Sequence, residues 1–251
     1  MDDPAILVAG ETLVDFLPAR PGPLADVETF SRRAGGAAAN VAIGLSRLDR
    51  PPWFLTNVST DGFGDFLART LDENGVPDRF VTRSEHPTAL AFVSHDANAD
   101  RRFTFYRTGS ADGRLDGRVV PDSVLDSLEW VCVDAPVALA ADDPADLAAN
   151  LFAAGPHTVF VTQGTDGSRV LADDRAPWGA VDVSHAGYDV DPVDTTGAGD
   201  AFLAGGLSGL AAGDPLDEVL GFANAVAALT TTEAGAIDAL PDREAVAALR
   251  E

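Results

Sequence analysis

Residues 5–9, Ala-Ile-Leu-Val-Ala, are apolar at every position and end at Gly10. An unbroken apolar run of this length marks a strand buried on both faces, as in a parallel sheet covered by helices. Further strands are read at 53–58, 130–134 and 158–162. Between and after them the apolar period changes to that of helices. One opens behind Gly35-Gly36 with Val41, Leu45 and Leu48 inward, and one runs over 65–74 to Gly75; others lie at 143–153, 198–211, 216–231 and 242–250. Strands alternating with helices predict a mostly parallel, three-layer α/β/α sheet. Two stretches differ. Thr12–Pro18 alternates loosely, and 88–107 holds two strand-like segments around the polar Asp96–Arg101. The second reads as a hairpin, a flap over a site rather than a central layer.

The chain has 251 residues and a formal net charge of −23, with forty Asp and Glu against seventeen basic residues, every one of them Arg. Acidity spread among apolar runs and 24 glycines describes a folded domain, not a disordered one. It suits a salt-rich cytoplasm, where screening relieves self-repulsion. It disfavours a nucleic-acid partner, which needs a basic face. No basic leader and no apolar stretch of about 20 residues is seen, so a cytoplasmic, soluble protein away from membranes is expected. Cys132, alone in the run 130–133, reads as a core thiol. His86, His95, His157 and His185 share no metal-ligand spacing. The absence of Lys rules out a Walker A loop, a protein-kinase β3 lysine and Schiff-base chemistry. Phosphate must be handled by backbone amides, Arg and metal.

The stretch Val193-Asp-Thr-Thr-Gly-Ala-Gly-Asp-Ala-Phe202 supplies such amides. Glycines let the chain turn tightly into a helix whose N-terminal N–H groups and dipole attract an anion. Asp200, in the first turn, stays ionised there and can accept the proton of an incoming hydroxyl. A dinucleotide fingerprint is excluded, because its third small position would fall on Phe202.

Asp194–Phe202 resembles the C-terminal signature of the ribokinase-like (PfkB) sugar kinases, and Arg33–Leu48 is similar to their N-terminal signature. Gly10–Phe16 resembles the start of fructokinase-type members. Thr88–Val93 with Phe103–Asp112 looks like their lid, and Val161–Ser168 like their nucleotide-side turn. The resemblance implies one ribokinase-like domain over 1–251, with lid strands near 12–18, 24–32 and 88–107. It implies ATP-dependent phosphorylation of a sugar hydroxyl, with fructose ahead of 2-keto-3-deoxygluconate, ribose or a nucleoside. Asp200 would be the base, with Gly197, Ala198 and Gly199 around the transferring group. Asp15, Gly35, Gly36, Asn40 and Arg107 would bind sugar, and Thr162, Gly164, Gly167 and Asn224 the nucleotide. Magnesium would accompany ATP; Asp194, Thr196 and the backbone near Gly235 would surround potassium. A lid-to-lid homodimer is also implied, as is a rival reading, a sugar- or nucleotide-binding protein of the same fold without catalysis.

One departure is large. Family members run about fifty residues longer. A further βαβ segment with an Asn-x-x-Glu motif for magnesium and phosphate is expected between the strand at 130–134 and the helix at 143–153. Here Ala135–Asp143 passes straight through, and Asn150-Leu-Phe-Ala153 is no substitute. Deleting such a segment would remove central strands, so the expectation is that residues are missing from the sequence rather than from the protein.

Overall fold

The computed structural model describes residues 4–95, 101–133 and 144–251; 96–100 of the expected hairpin loop and 135–143 lie outside them. Its contacts resolve into two compact units, one ending at Asp134 and the other following it.

The first unit carries β1 (Ile6–Ala9), β2 (Leu13–Pro18), β3 (Phe30–Gly35), α1 (Ala37–Arg47), β4 (Trp53–Ser59) and α2 (Gly62–Glu73). Then follow β5 (Val81–Ser84), β6 (Leu90–His95), β7 (Arg101–Tyr106), the short α3 (Asp122–Leu125) and β8 (Trp130–Val133). Strands β5-β4-β1-β8 form a parallel sheet in that order, as the apolar runs predict. Leu7, Ala9, Trp53 and Leu55 pack with Phe80, Val120 and Val124. Burying a side chain of this size stabilises a fold by about 1.5–3 kcal/mol. Among the described strands β8 pairs with β1 alone, and its Val131 and Val133 stand 57% and 63% exposed. Cys132, expected in the core, is only partly buried, because β8 is an edge.

A second sheet in this unit, ordered β3-β2-β6-β7, is built from the stretches expected to form the lid. One face holds Val14, Phe16 and Leu90 against Phe63 and Leu67 of α2. The expected strand at 24–32 needs correction. Leu24–Asp26 is a 3-10 helix, and β3 begins at Phe30. The Asp26 amide donates to Pro23 O at 2.9 Å, so a turn occupies the predicted start of the strand.

Helix α2 starts three residues before its predicted position, because Asp61 caps it. Asp61 Oδ1 accepts from the amides of Phe63 (3.0 Å) and Gly64 (2.8 Å) and from Thr88 Oγ1 (2.7 Å). Oδ2 accepts from the Thr88 amide at 2.9 Å, tying the entry of β6 to the helix. Burial pushes this carboxyl up, but hydrogen bonds from Gly64, Thr88 and Ser59 outweigh it and hold the pKa at about 2. A depressed carboxyl gives stability that is present above its unfolded value of 3.8 and lost as pH falls through about 2. Asp61→Ala is expected to cost about 1–2 kcal/mol near neutrality, and the deficit should shrink between about pH 4 and pH 2. Urea unfolding at stepped pH measures this; a deficit that is constant with pH contradicts it.

The second unit holds α4 (Pro144–Ala154), β9 (Thr158–Thr162), β10 (Ser168–Ala172), β11 (Val181–His185), α5 (Ala198–Ala212), α6 (Leu216–Thr230) and α7 (Arg243–Arg250). Its strands pair antiparallel in the order β11-β10-β9, unlike the parallel expectation. The connection from β9 to β10 is too short for a parallel crossover, which needs a dozen or more residues. Val170, Phe202, Leu216, Leu220 and Ala223 pack this sheet against α5 and α6. No helix among the described residues is long and apolar enough to cross a membrane.

Candidate active site

In the second unit, the loop before α5 is clipped at both ends. The amides of Val193 and Asp194 donate to Thr231 O at 2.7 and 3.1 Å. Asp194 Oδ1 accepts from the amide (3.0 Å) and hydroxyl (2.7 Å) of Thr196, and Oδ2 from the Gly235 amide (3.1 Å). The three residues assigned to potassium are thus brought together. Gly197 then turns the chain with φ 80°, and a Cβ there would lie 2.8 Å from Ala236 Cβ. Only glycine combines that left-handed backbone with that contact. Helix α5 follows at once, with Asp200 in its first turn.

The Ala198 amide turns back to Thr195 O at 3.3 Å. Gly199 and Asp200 occupy the next two positions of the first turn. Gly199 is exposed, with nothing within 4 Å of where its Cβ would stand.

A groove of about 460 Å³ extends from Thr195 and Ala198 to α6. It is lined also by Gly164, Thr165, residues 186–190 and Pro192, and by Asn224, Ala227, Ala228 and Thr231. Gly164 and Asn224, both expected at the nucleotide, are among them. Asn224 is buried, its Nδ2 donating to Ser168 Oγ (2.6 Å) and Leu220 O (2.7 Å). Thr162 and Gly167 do not line the groove. Gly167 sits behind its wall, where a Cβ would fall 2.0 Å from His185 O and 2.6 Å from the Gly187 amide nitrogen. His185 Nδ1 accepts from that same amide at 3.0 Å. Residues 186–190 and the α6 face were missed by sequence reasoning. The stripe Asn224, Ala227, Ala228, Thr231 has i, i+3, i+4, i+7 spacing, a signal the sequence did carry.

In the first unit, β2, β3 and α1 converge. Asp15 on β2 lies over Gly35, the last residue of β3; a Cβ on Gly35 would meet Asp15 Oδ2 at 2.1 Å. Gly36 passes close to Glu11, and Glu11 Oε1 accepts from the Ala37 amide at 3.0 Å, closing the start of α1. Asn40 follows, 6% exposed. Asp15, Gly35, Gly36 and Asn40 are thus gathered at one junction, with Glu11 an addition the sequence reading did not name. Arg107 follows β7 and is paired with Asp112.

Burial raises the Asp15 carboxyl to about 6. Between 3.8 and about 6 the folded chain holds this proton more tightly than the unfolded chain, so stability falls as pH rises across that window. The ionised form accepts hydroxyl hydrogens from a polyol, whereas the protonated form accepts fewer. Affinity for a sugar is therefore expected to rise through about pH 6, and Asp15→Asn to flatten the profile. Calorimetric titration at stepped pH decides it; an inflection that survives in Asp15→Asn assigns it elsewhere.

A glycine-turned helix start carrying a carboxylate beside an open groove, in a chain without lysine, suits a phosphotransferase. Comparison with known proteins agrees. The description "pfkB family carbohydrate kinase" matches residues 3–148 and 128–243. "Probable fructokinase-6, chloroplastic" of Arabidopsis thaliana is 32% identical over 98% of this chain and 82% of its own length. "Fructokinase-1" of Oryza sativa is 31% identical over 96% of each. Among solved structures, "Fructokinase with bound ATP from Xylella fastidiosa" superposes with TM-score 0.78 at 25% identity, covering 97% of both chains. A "putative Ribokinase II in complex with ATP and Mg+2 from E.coli" reaches 0.85 at 20%, over 98% of this chain and 99% of its own, and shows the ribokinase-like α/β fold alone. The chain belongs to the pfkB family of carbohydrate kinases.

The same matches bear on the expected extra segment. The two fructokinases align over 322 and 320 positions against 251 residues here, so both carry internal length that faces gaps in this chain. The two family matches overlap at 128–148, the stretch where the segment is expected.

Proposed function

We propose that this kinase transfers the γ-phosphoryl group of ATP to a hydroxyl of fructose, using residues 1–251 as one domain. The observation that carries the reading is Asp200 in the first turn of α5, directly behind the left-handed Gly197. Asp200 takes the hydroxyl proton as the sugar oxygen attacks the γ-phosphorus in line. The bond from that phosphorus to the β-phosphate oxygen breaks, and the ADP oxygen leaves with the electron pair. Amides at the start of α5 absorb charge that develops on the transferring group. Asp15 and Asn40 bind the sugar, and the groove over α6 takes the nucleotide.

Magnesium bound with ATP supplies charge neutralisation. No cluster of three or more His, Cys, Asp or Glu stands ready for it among the described residues, so it is expected to arrive on the nucleotide. Asp194, Thr196 and the backbone at Gly235 would hold potassium; their mutual hydrogen bonds already shape the loop such an ion would steady. A cytoplasmic location fits an enzyme that consumes ATP. Coupled ADP release over a panel of sugars in molar KCl tests the reading. Fructose should give the highest kcat/KM, and no turnover with any sugar refutes it. The second reading, a binding protein of the same fold without catalysis, predicts calorimetric sugar binding and no ADP release.

The lid supports a homodimer. Phe103 and Phe105 stack at 6.0 Å on edge strand β7 and stand 49% and 55% exposed. Phe92 packs instead with Phe16, Phe30 and Tyr106. Apolar rings on an open sheet edge call for a cover, and a second lid supplies one. Light scattering in high salt should give a dimer, reduced to monomer by Phe103→Glu with Phe105→Glu; a monomeric parent protein contradicts this.

A further inference from the structure

Arg107 is not an unattached cation waiting for substrate. Its Nε and Nη2 both donate to Asp112 Oδ2, at 3.1 and 2.7 Å. The Asp112 side chain is 1% exposed, that of Arg107 41%. Ser110 Oγ is hydrogen-bonded to Asp112 Oδ1, and the Ser110 amide donates to Arg107 O at 3.1 Å. The Ala111 amide donates to Pro87 O at 2.9 Å, closing the turn onto the strand entry. A buried carboxylate persists only when it is paired, and here the pair is Arg107. The guanidinium edge formed by Nε and Nη2 is therefore spent, and its charge is offset beside it.

We propose that Asp112 is a specificity-determining positioning residue that holds Arg107 neutralised, so that the lid selects uncharged sugars over sugar acids. The inference rests on the sugar-kinase reading and on Arg107 reaching the sugar. A carboxylate substrate is recognised best by an unoccupied guanidinium edge in a two-bond pairing. Asp112 already occupies one such edge and stands as a like charge against the newcomer. A hydroxyl needs one N–H and brings no charge, so it meets neither obstacle.

The test measures kcat/KM for fructose and for 2-keto-3-deoxygluconate in the full chain, in Asp112→Asn, in Arg107→Met and in the double variant. Asp112→Asn is expected to lower the fructose-to-acid ratio about tenfold or more, chiefly through KM, with the KM for ATP within about twofold. In the Arg107→Met background the same substitution should leave the ratio unchanged, and Asp112→Glu should restore it in part. A ratio within about twofold of the parent in Asp112→Asn, or an equal effect without Arg107, overturns the proposal. Should Asp112→Asn not fold, Arg107→Met decides. An offset cation predicts that both substrates lose alike, and a selective loss of the acid overturns the proposal. ADP release with an unchanged ratio defeats this inference alone; no release with either substrate defeats the kinase reading and the inference with it.

Discussion

Asp200→Asn is expected to lower kcat by about a thousandfold or more while sugar and nucleotide still bind, the largest functional loss from any single substitution in the chain. The amide keeps the shape of the carboxylate but cannot accept a proton at neutral pH, so a step worth about 10²–10⁴ in rate is removed. Because α5 begins at Ala198 under a glycine turn, the side chain at 200 is not what starts the helix. Asp200→Asn should therefore melt close to the parent, which separates lost chemistry from lost structure. Stopped-assay turnover, calorimetric binding of sugar and nucleotide, and a thermal melt are the three measurements. A variant keeping more than about a tenth of kcat shows that the proton leaves by another route.

Gly167→Ala is expected to be the most damaging change in the second unit. Its φ of 82° is strained for any L side chain, and the added Cβ would fall 2.0 Å from His185 O. That obstacle is backbone, so relief requires the 185–187 segment to move. The strained dihedral alone costs about 1–3 kcal/mol, and overpacking adds a similar amount. The moving segment leads into one wall of the groove, so nucleotide affinity should fall with stability while sugar affinity is held. Measuring both ligands by calorimetry checks this. Unchanged ATP affinity in a destabilised variant would show that the 186–190 wall does not touch the nucleotide.

What could be read from the chain divides by range. Asp194–Phe202 was legible because turn, cap and carboxylate are neighbours in sequence, and the parallel sheet because β1 is apolar throughout and β4 opens on Trp53, Phe54 and Leu55. Strands β5, β10 and β11 were not assigned. Val81–Ser84, Ser168–Ala172 and Val181–His185 mix polar and apolar residues, and cross-strand pairing rather than local preference makes them strands. The contact of Gly167 with His185 comes from the pairing of β10 with β11, which carries no local signal. Arg107 was read as a ligand group; its tie to Asp112 belongs to an irregular turn that no periodicity describes. The hold of Asp61 on Thr88 spans 27 residues and has no local signature.

The lid has a consequence for how the molecule comes to exist. Its four strands leave the parallel sheet in two separate excursions, β2 with β3 and then β6 with β7, and the joint between them is the parallel pairing of β2 with β6. Isolated two-stranded hairpins are marginal in water. On a ribosome, the first excursion must wait, unpartnered, until residue 106 has been made and threaded back. Its aromatic face gains cover only when α2 has closed on Asp61. The lid therefore cannot be inherited, swapped or transplanted as a cassette: two distant stretches of gene must change together, and the helix between them must tolerate both.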